Sequence, residues 1–252
     1  MNEIPFSGAN YLEIKPNDGL SFIIDMFWRL SNPTDQAKEI IVLPDGRIDI
    51  LFTAGDQEMT TLHGLGLSAE KAVLAPFSTL FGVSFKFLAV ECLFNQFKPL
   101  APNKVLQLPS NFFPQVLDCF TLEQFKDLAS RKTLENLIPA SDERMMRLAE
   151  FIYEMREEWS IGQLTENVGI SCRQLNRYFQ SYLGISMKTY LNILRFRKSF
   201  GQLKAGKFFP EQHYCDQSHF IRQIRKYAGV IPKELHKNEN DRFIQFSTLL
   251  SR

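Results

Sequence analysis

The sequence predicts an α+β protein: an N-terminal, mainly-β domain of barrel or sandwich type, then an all-α domain with two helix-turn-helix units joined by a long helix. Three observations carry that expectation. Short β-rich runs broken by turn residues occupy about the first hundred positions. After Pro114 the apolar spacing becomes helical and capping signals appear. A segment of the C-terminal half then recurs 45 residues further on.

Taken in order, Ser21-Phe22-Ile23-Ile24 and Ile48-Asp49-Ile50-Leu51-Phe52-Thr53 read as strands, the second entered through the turn signal Pro44-Asp45-Gly46. The apolar runs 72–74, 82–88 and 104–108 have the same character, punctuated by Gly55-Asp56 and by Gly64 and Gly66. Many short strands in succession argue against a βαβ layout. Asp45, Arg47 and Asp49 crowd one turn; a polar site is one reading, and a solvated turn with a local ion pair is the better one. Thr121-Leu122-Glu123-Gln124 has capping-box spacing and opens a helix towards Leu137. Pro139-Ala140-Ser141-Asp142 then breaks the chain and starts a new helix, so the domain boundary falls within 130–141. Met145, Met146, Leu148, Phe151, Ile152 and Met155 give that helix one apolar face.

Ser160-Ile161-Gly162-Gln163 is a second capping box, opening a helix through Val168. Gly169-Ile170-Ser171 turns tightly, and Ser171-Cys172-Arg173-Gln174 is a third box whose helix ends at Gly184. A helix, a short Gly-containing turn and a helix make a helix-turn-helix. Its second helix buries Leu175, Tyr178, Phe179 and Tyr182, and leaves Cys172, Arg173, Asn176, Arg177 and Gln180 to solvent, with Gln174 at the edge. At an offset of 45, Leu175-Asn176-Arg177-Tyr178-Phe179 falls on Phe220-Ile221-Arg222-Gln223-Ile224, Tyr182 on Tyr227, Gly184 on Gly229 and Ile185 on Val230. Between the copies Ser186 caps a helix over 187–205, followed by Gly206. Eighteen residues of helix span roughly 27 Å at about 1.5 Å per residue. Successive major-groove faces lie about 34 Å apart, so one chain could reach two of them.

Charge sharpens this. The 252 residues carry 29 Lys plus Arg and 28 Asp plus Glu, a net charge of +1 that gives no hint of a polyanionic partner. The balance is uneven: residues 1–140 have 11 basic and 16 acidic side chains, and 141–252 have 18 and 12. Between Ser171 and Lys226, 11 basic residues face only Glu211 and Asp216, which marks the second half as the candidate for binding a polyanion. The 44% hydrophobic content excludes a disordered chain. Cys92, Cys119, Cys172 and Cys215 have no CxxC spacing, and His63, His213, His219 and His236 no ligand spacing, so neither a metal nor another cofactor is expected. With no signal peptide and no apolar run of membrane length, the reading is a soluble, non-enzymatic protein of a reducing compartment.

Residues 142–236 resemble the DNA-binding domain of AraC/XylS-type transcriptional regulators. The resemblance rests on Ser171-Cys172-Arg173-Gln174-Leu175-Asn176-Arg177-Tyr178-Phe179, Gly184-Ile185-Ser186, Asp216-Gln217-Ser218-His219-Phe220-Ile221-Arg222 and Gly229-Val230-Ile231-Pro232. Leu43-Pro44-Asp45-Gly46-Arg47-Ile48-Asp49 and Phe81-Gly82-Val83-Ser84-Phe85 are similar to regulatory domains that precede such modules. The resemblance implies a bacterial, cytoplasmic regulator with a regulatory or dimerisation domain over 1–135, a DNA-binding domain over 142–236 and a tail over 237–252. Double-stranded DNA is the implied partner, with room for a small-molecule effector, RNA polymerase and a second copy of the chain. The implied contacts are Arg173, Gln174, Asn176, Arg177 and Gln180 on the first reading helix, Gln217, Ser218 and Arg222 on the second, and Lys188 on the connecting helix; Arg195 and Lys198 are further phosphate candidates. An intramolecular salt bridge is the alternative for Arg177, and a tie between the two subdomains the alternative for Arg195. Asp216 is expected to cap its helix and His219 to be structural.

The second unit departs from the family pattern: His213 stands where Gly is usual before Tyr214, and only nine residues, Pro210 among them, separate Gly206 from Asp216. That leaves little room for the helix that should precede the second reading helix. One rival is therefore a ligand-binding or interaction protein whose DNA binding is weak or lost. Another, a DNA-repair alkyl acceptor, needs a cysteine cluster that the sequence does not contain.

Overall fold

The computed structural model describes residues 4–6, 9–53, 59–109, 112, 113, 119, 121–154, 160–210 and 214–248. The readings at Gly55-Asp56, Pro114, Met155, Glu211 and His213, and the last four residues of the 237–252 segment, lie outside them. The strands are β1 (Ile4–Phe6), β2 (Ala9–Ile14), β3 (Ile24–Asn32), β4 (Lys38–Val42), β5 (Ile48–Thr53), β6 (Met59–His63), β7 (Glu70–Leu74), β8 (Ser78–Phe85) and β9 (Val105–Gln107). The helices are α1 (Ala89–Cys92), α2 (Leu122–Asn136), α3 (Glu143–Glu154), α4 (Ile161–Val168), α5 (Cys172–Leu183), α6 (Met187–Lys204), α7 (Gln217–Ala228), α8 (Pro232–Lys237) and α9 (Ile244–Ser247). The expected α+β order, sheet first and helices after, is therefore the observed one.

Seven strands form one antiparallel sheet in the order β1-β2-β3-β8-β5-β6-β9, with β1 and β9 at its edges, and β4 pairs β7 in a separate two-stranded ribbon. Two expected runs divide differently from the sequence reading. Strand β3 starts only at Ile24, because Asn17-Asp18-Gly19 favours a turn and Asp18–Leu20 winds into a single 3-10 turn. Ile23 is buried from that turn, which apolar character alone cannot distinguish from a strand. Likewise 82–88 is two elements: β8 ends at Phe85, and Phe87 and Leu88 lead into α1. In the middle of β8, Gly82 pairs with Trp28 of β3, and a Cβ there would sit 2.1 Å from the indole, so the ring lies flat on bare backbone.

One face of the large sheet is apolar and is covered by α2. Phe125 of α2 meets Phe27, Phe52 and Phe81 at ring-centroid distances of 6.2, 5.4 and 5.0 Å. This core does not stop at the helices: it continues through Met145 and Leu148 of α3, Leu164 and Val168 of α4 and Leu175 and Phe179 of α5 to Tyr190 of α6. Met146, Phe151 and Ile152 pack around it as the apolar periodicity of α3 requires. A second core joins α6, α7 and α8 to Leu43, which follows β4, and to Phe243 and Phe246 near the C-terminus. The 237–252 segment thus folds back: Phe243 is 0% exposed and bridges to Ile41 of β4.

Candidate nucleic-acid interface

Local chemistry sets the ends of the helices that build this surface. Thr121, Ser160 and Ser171 each accept the N3 amide while Gln124, Gln163 and Gln174 return to the cap amide, so all three capping boxes form. Gly169 and Gly184 end α4 and α5 in the left-handed region, at φ 70° and 66°. Helices α4 and α5 and the turn between them are a complete helix-turn-helix. The repeat also holds to the residue: α7 and α8 begin 45 positions after α5 and α6, and the cap residues Ser171 and Asp216 are separated by the same interval.

Symmetry fails just before Asp216. The counterpart of α4 would occupy 206–213, yet 207–210 and 214–216 are not helical. Instead the Gln202 amide on α6 donates to the carbonyls of Lys207 (3.4 Å) and Phe209 (3.0 Å), which ties down the loop. Tyr214 packs edge-on against Phe220 at 5.0 Å and His219 at 5.5 Å, and Arg195 lies over its ring at 5.8 Å. Asp216 does cap α7, accepting the His219 amide at 2.7 Å, and the His219 ring accepts the Cys215 amide. Arg195 is therefore occupied in joining α6 to the start of α7.

Helix α5 buries Leu175, Phe179 and Leu183, while Tyr178 and Tyr182, expected to be buried, are only half-buried at the edge of the same core. Arg173, Asn176, Arg177 and Gln180 follow the i, i+3, i+4, i+7 spacing of one helix face, and all four are exposed with Gln174. Among the described residues no carboxylate pairs with Arg173 or Arg177, so both guanidiniums keep their donors for an external acceptor. The polar three are already engaged. Gln174 holds the cap, Asn176 accepts the Met187 amide at 3.2 Å, and Gln180 donates to the Gly184 carbonyl at 3.3 Å. On the second unit Gln217, Ser218 and Arg222 are exposed, and so are Arg225 and Lys226, which sequence reasoning left out although their position one and two turns on from Ser218 and Arg222 was visible. Lys188 and Lys198 are exposed on α6.

The Asp45-Gly46-Arg47 turn is not the solvated turn expected. It is roofed by α6: the Tyr190 hydroxyl donates to the Gly46 carbonyl at 3.1 Å, and Leu194 presses on Gly46, whose φ is +78°. Arg47 bridges Asp25 at 2.5 Å and Asp45 at 3.2 Å, and Arg197 of α6 reaches Asp25 at 3.0 Å. Burial opposes ionisation of Asp25, but Arg47, Lys15 and Lys86 outweigh it and hold that carboxyl below its usual range. Asp49 has no such majority: burial, then the Asp45 charge, push it up to about 7, and the Ser84 hydroxyl bonds it at 2.5 Å. The missed member is Asp25, for which no sequence signal existed; it lies in a strand far from the turn it neutralises.

Among the described residues no group of three or more His, Cys, Asp or Glu could hold a metal ion, and no helix is long and apolar enough to cross a membrane. Residues 12–103 match a family described as a domain of unknown function (DUF6597). No curated protein matches the chain. Several solved structures of ToxT from Vibrio cholerae do. The 1.65 Å P21 form is 12% identical, over 91% of this chain and 97% of that one, with a TM-score of 0.40. ToxT of strain O395 is 12% identical over 96% and 98%, TM-score 0.40. Wild-type ToxT of strain SCE256 with a bound unsaturated fatty acid is 15% identical over 90% and 93%, TM-score 0.36.

Proposed function

We propose that the chain is a sequence-specific, duplex-DNA-binding transcriptional regulator of the AraC/XylS type, with no catalytic activity, acting in the bacterial cytoplasm. One observation supports this above the others: α5 is a complete, doubly capped reading helix whose exposed face carries two arginines without a carboxylate partner among the described residues. Such guanidiniums on one helix face, with few carboxylates nearby in sequence, favour a polyanionic partner. Arg173 and Arg177 are the primary contacts, to guanine edges or phosphate, with Gln174, Asn176 and Gln180 setting the helix and reading only where their local bonds leave a free donor or acceptor. Gln217, Ser218, Arg222 and Lys188 contribute phosphate contacts from the second unit and the connecting helix. Residues 1–135 serve as the regulatory part and 142–236 as the DNA-binding part. The polar face of the sheet around Trp28, Gly82, Ser84 and Asp49 is where a small effector would be felt, through the turn that α6 roofs.

Selection from a random duplex pool tests the reading. A regulator of this kind enriches one sequence, and a protected stretch of about one helical turn means that the first unit reads alone, whereas two turns mean that both engage. Enrichment of no sequence at moderate salt would leave an interaction protein with lost DNA binding.

A further inference from the structure

We infer that Glu91, in α1 of the sheet-bearing half, is a positioning residue that sets the rotation of the reading helix α5. This rests on the DNA-reading role of α5 given above and goes beyond it. Glu91 is 3% exposed, yet it sits on a four-residue helix between apolar neighbours, where a carboxyl group is costly unless every lone pair is used. Its oxygens are used by two separate segments. One accepts the backbone amide of Ser141 at 2.7 Å together with the Ser141 hydroxyl; the other accepts the Tyr178 hydroxyl at 2.7 Å. Ser141 is the entry to α3, and Tyr178 lies in α5 between Arg177 and Phe179. A single side chain therefore fixes both the linker and the helix that carries the arginines.

The surroundings leave α5 few other ways to sit. Phe87, on the short connection from the central strand β8 to α1, meets Tyr178 at 6.3 Å and Phe179 at 5.1 Å. The Leu100 amide donates to the Tyr182 carbonyl at 2.9 Å, and the Ile138 amide to the Cys92 carbonyl at 2.8 Å. The ring contacts tolerate a small roll of the helix; the Leu100 bond holds its last turn, and the Glu91–Tyr178 bond holds the turn that carries Arg177. Burial, and then the bond to Glu91, push the Tyr178 phenol far above its ordinary range, so the hydroxyl stays a donor at any working pH. The apolar packing and the Leu100 bond thus hold α5 in place, and Glu91 sets its angle at the turn that bears Arg177. Because only Lys86, Phe87 and Leu88 separate β8 from α1, a shift in the sheet has a short path to Glu91.

The test measures affinity for the selected duplex and for a scrambled duplex, with the salt dependence of each, in the full chain. Tyr178→Phe removes one oxygen and Glu91→Leu the whole hub. Each is expected to lower the selected-to-scrambled ratio about tenfold (~1.4 kcal/mol) while scrambled-duplex affinity and salt slope stay unchanged. The double variant should be no worse than the weaker single one, since both remove the same bond. A role confined to stability would lower the melting temperature and leave the ratio intact, and that result in a folded Tyr178→Phe protein overturns the proposal. If Glu91→Leu does not fold, Tyr178→Phe alone decides. Should the unaltered chain prefer no sequence, the DNA-reading role itself fails, which is a separate and recognisable outcome.

Discussion

Helices α5 and α7 of the two repeated units have the same span, 45 positions apart, and different foundations. The first stands on its own supporting helix, α4, a reciprocal cap and the Phe87–Leu100 segment of the sheet-bearing half. The second has in α7 a helix of equal length with a one-sided cap and no helix over 207–210 or 214–216; it shares a core with α6, α8 and the distant Leu43, Phe243 and Phe246 instead. Equal pattern in sequence therefore produces equal helices but not equal autonomy. A reading helix needs something to bury its apolar side, and whether that is a neighbour in sequence or a distant segment makes no difference to the helix itself.

The largest way to break this comparison is to remove the borrowed support. Phe243→Ala should destabilise the chain by about 3–5 kcal/mol, the usual loss for a fully buried Phe, and hydrogen exchange should quicken in α7 far more than in α5. Equal loss of protection in both helices would mean that the units are one cooperative body.

Next in size are the contacts. Arg177→Ala or Arg173→Ala should weaken binding to the selected duplex about 10–100-fold, at ~1–3 kcal/mol per base contact, and Arg222→Ala less than about threefold. The exposed thiols report the same asymmetry, since Cys172 opens α5 and Cys215 precedes the cap of α7. Bound duplex should protect Cys172 from alkylation more than Cys215; equal protection would place the second unit in a groove as well.

Caps give a smaller effect. Asp216→Ala should destabilise by about 1–2 kcal/mol and Ser171→Ala by about 0.5–1 kcal/mol, because Gln174 still receives the residue-171 amide when the hydroxyl is gone. Denaturant unfolding of the two variants checks the order.

Of the same order as the caps is the pH response of the hub beneath α6. Asp49 titrates near 7 in the folded chain against about 3.9 unfolded, so between those values only the folded chain holds the proton. Stability from this group is present at low pH and is lost as pH rises through 7. Melting temperature should fall by about 2–4 °C (~1 kcal/mol) between pH 6 and 8, and Asp49→Asn should flatten that slope. An unchanged slope in the variant would assign the pH response to other groups.

Much of the helical half was legible because its signals are local. A capping box is a bond between residues three apart, and a glycine at a helix end answers a backbone requirement, so Ser160, Ser171, Gly169, Gly184 and Gly229 declare their elements in any surroundings. The same holds for the nine residues before Asp216, where Pro210 and a short span leave little room for a full helix and turn, and where 207–210 and 214–215 are not helical. The sheet was less legible: β2, β4 and β6 are short, partly polar strands whose apolar residues follow no long alternation.

The residues alone determined where α4, α5 and α6 begin and end, that one pattern occurs twice, and which side of α5 faces water. Tertiary structure decided what lies beneath them. Glu91 meets Tyr178 across 87 positions and Gln245 meets Leu43 across 202, and Asp25, despite its burial, is held below the usual carboxylate range because Arg47, Lys15 and Lys86 converge on it. A cap is satisfied within its own turn of chain. A buried carboxylate is satisfied only by whatever the fold brings to it, and the desolvation it must offset exists only once the chain has closed around it.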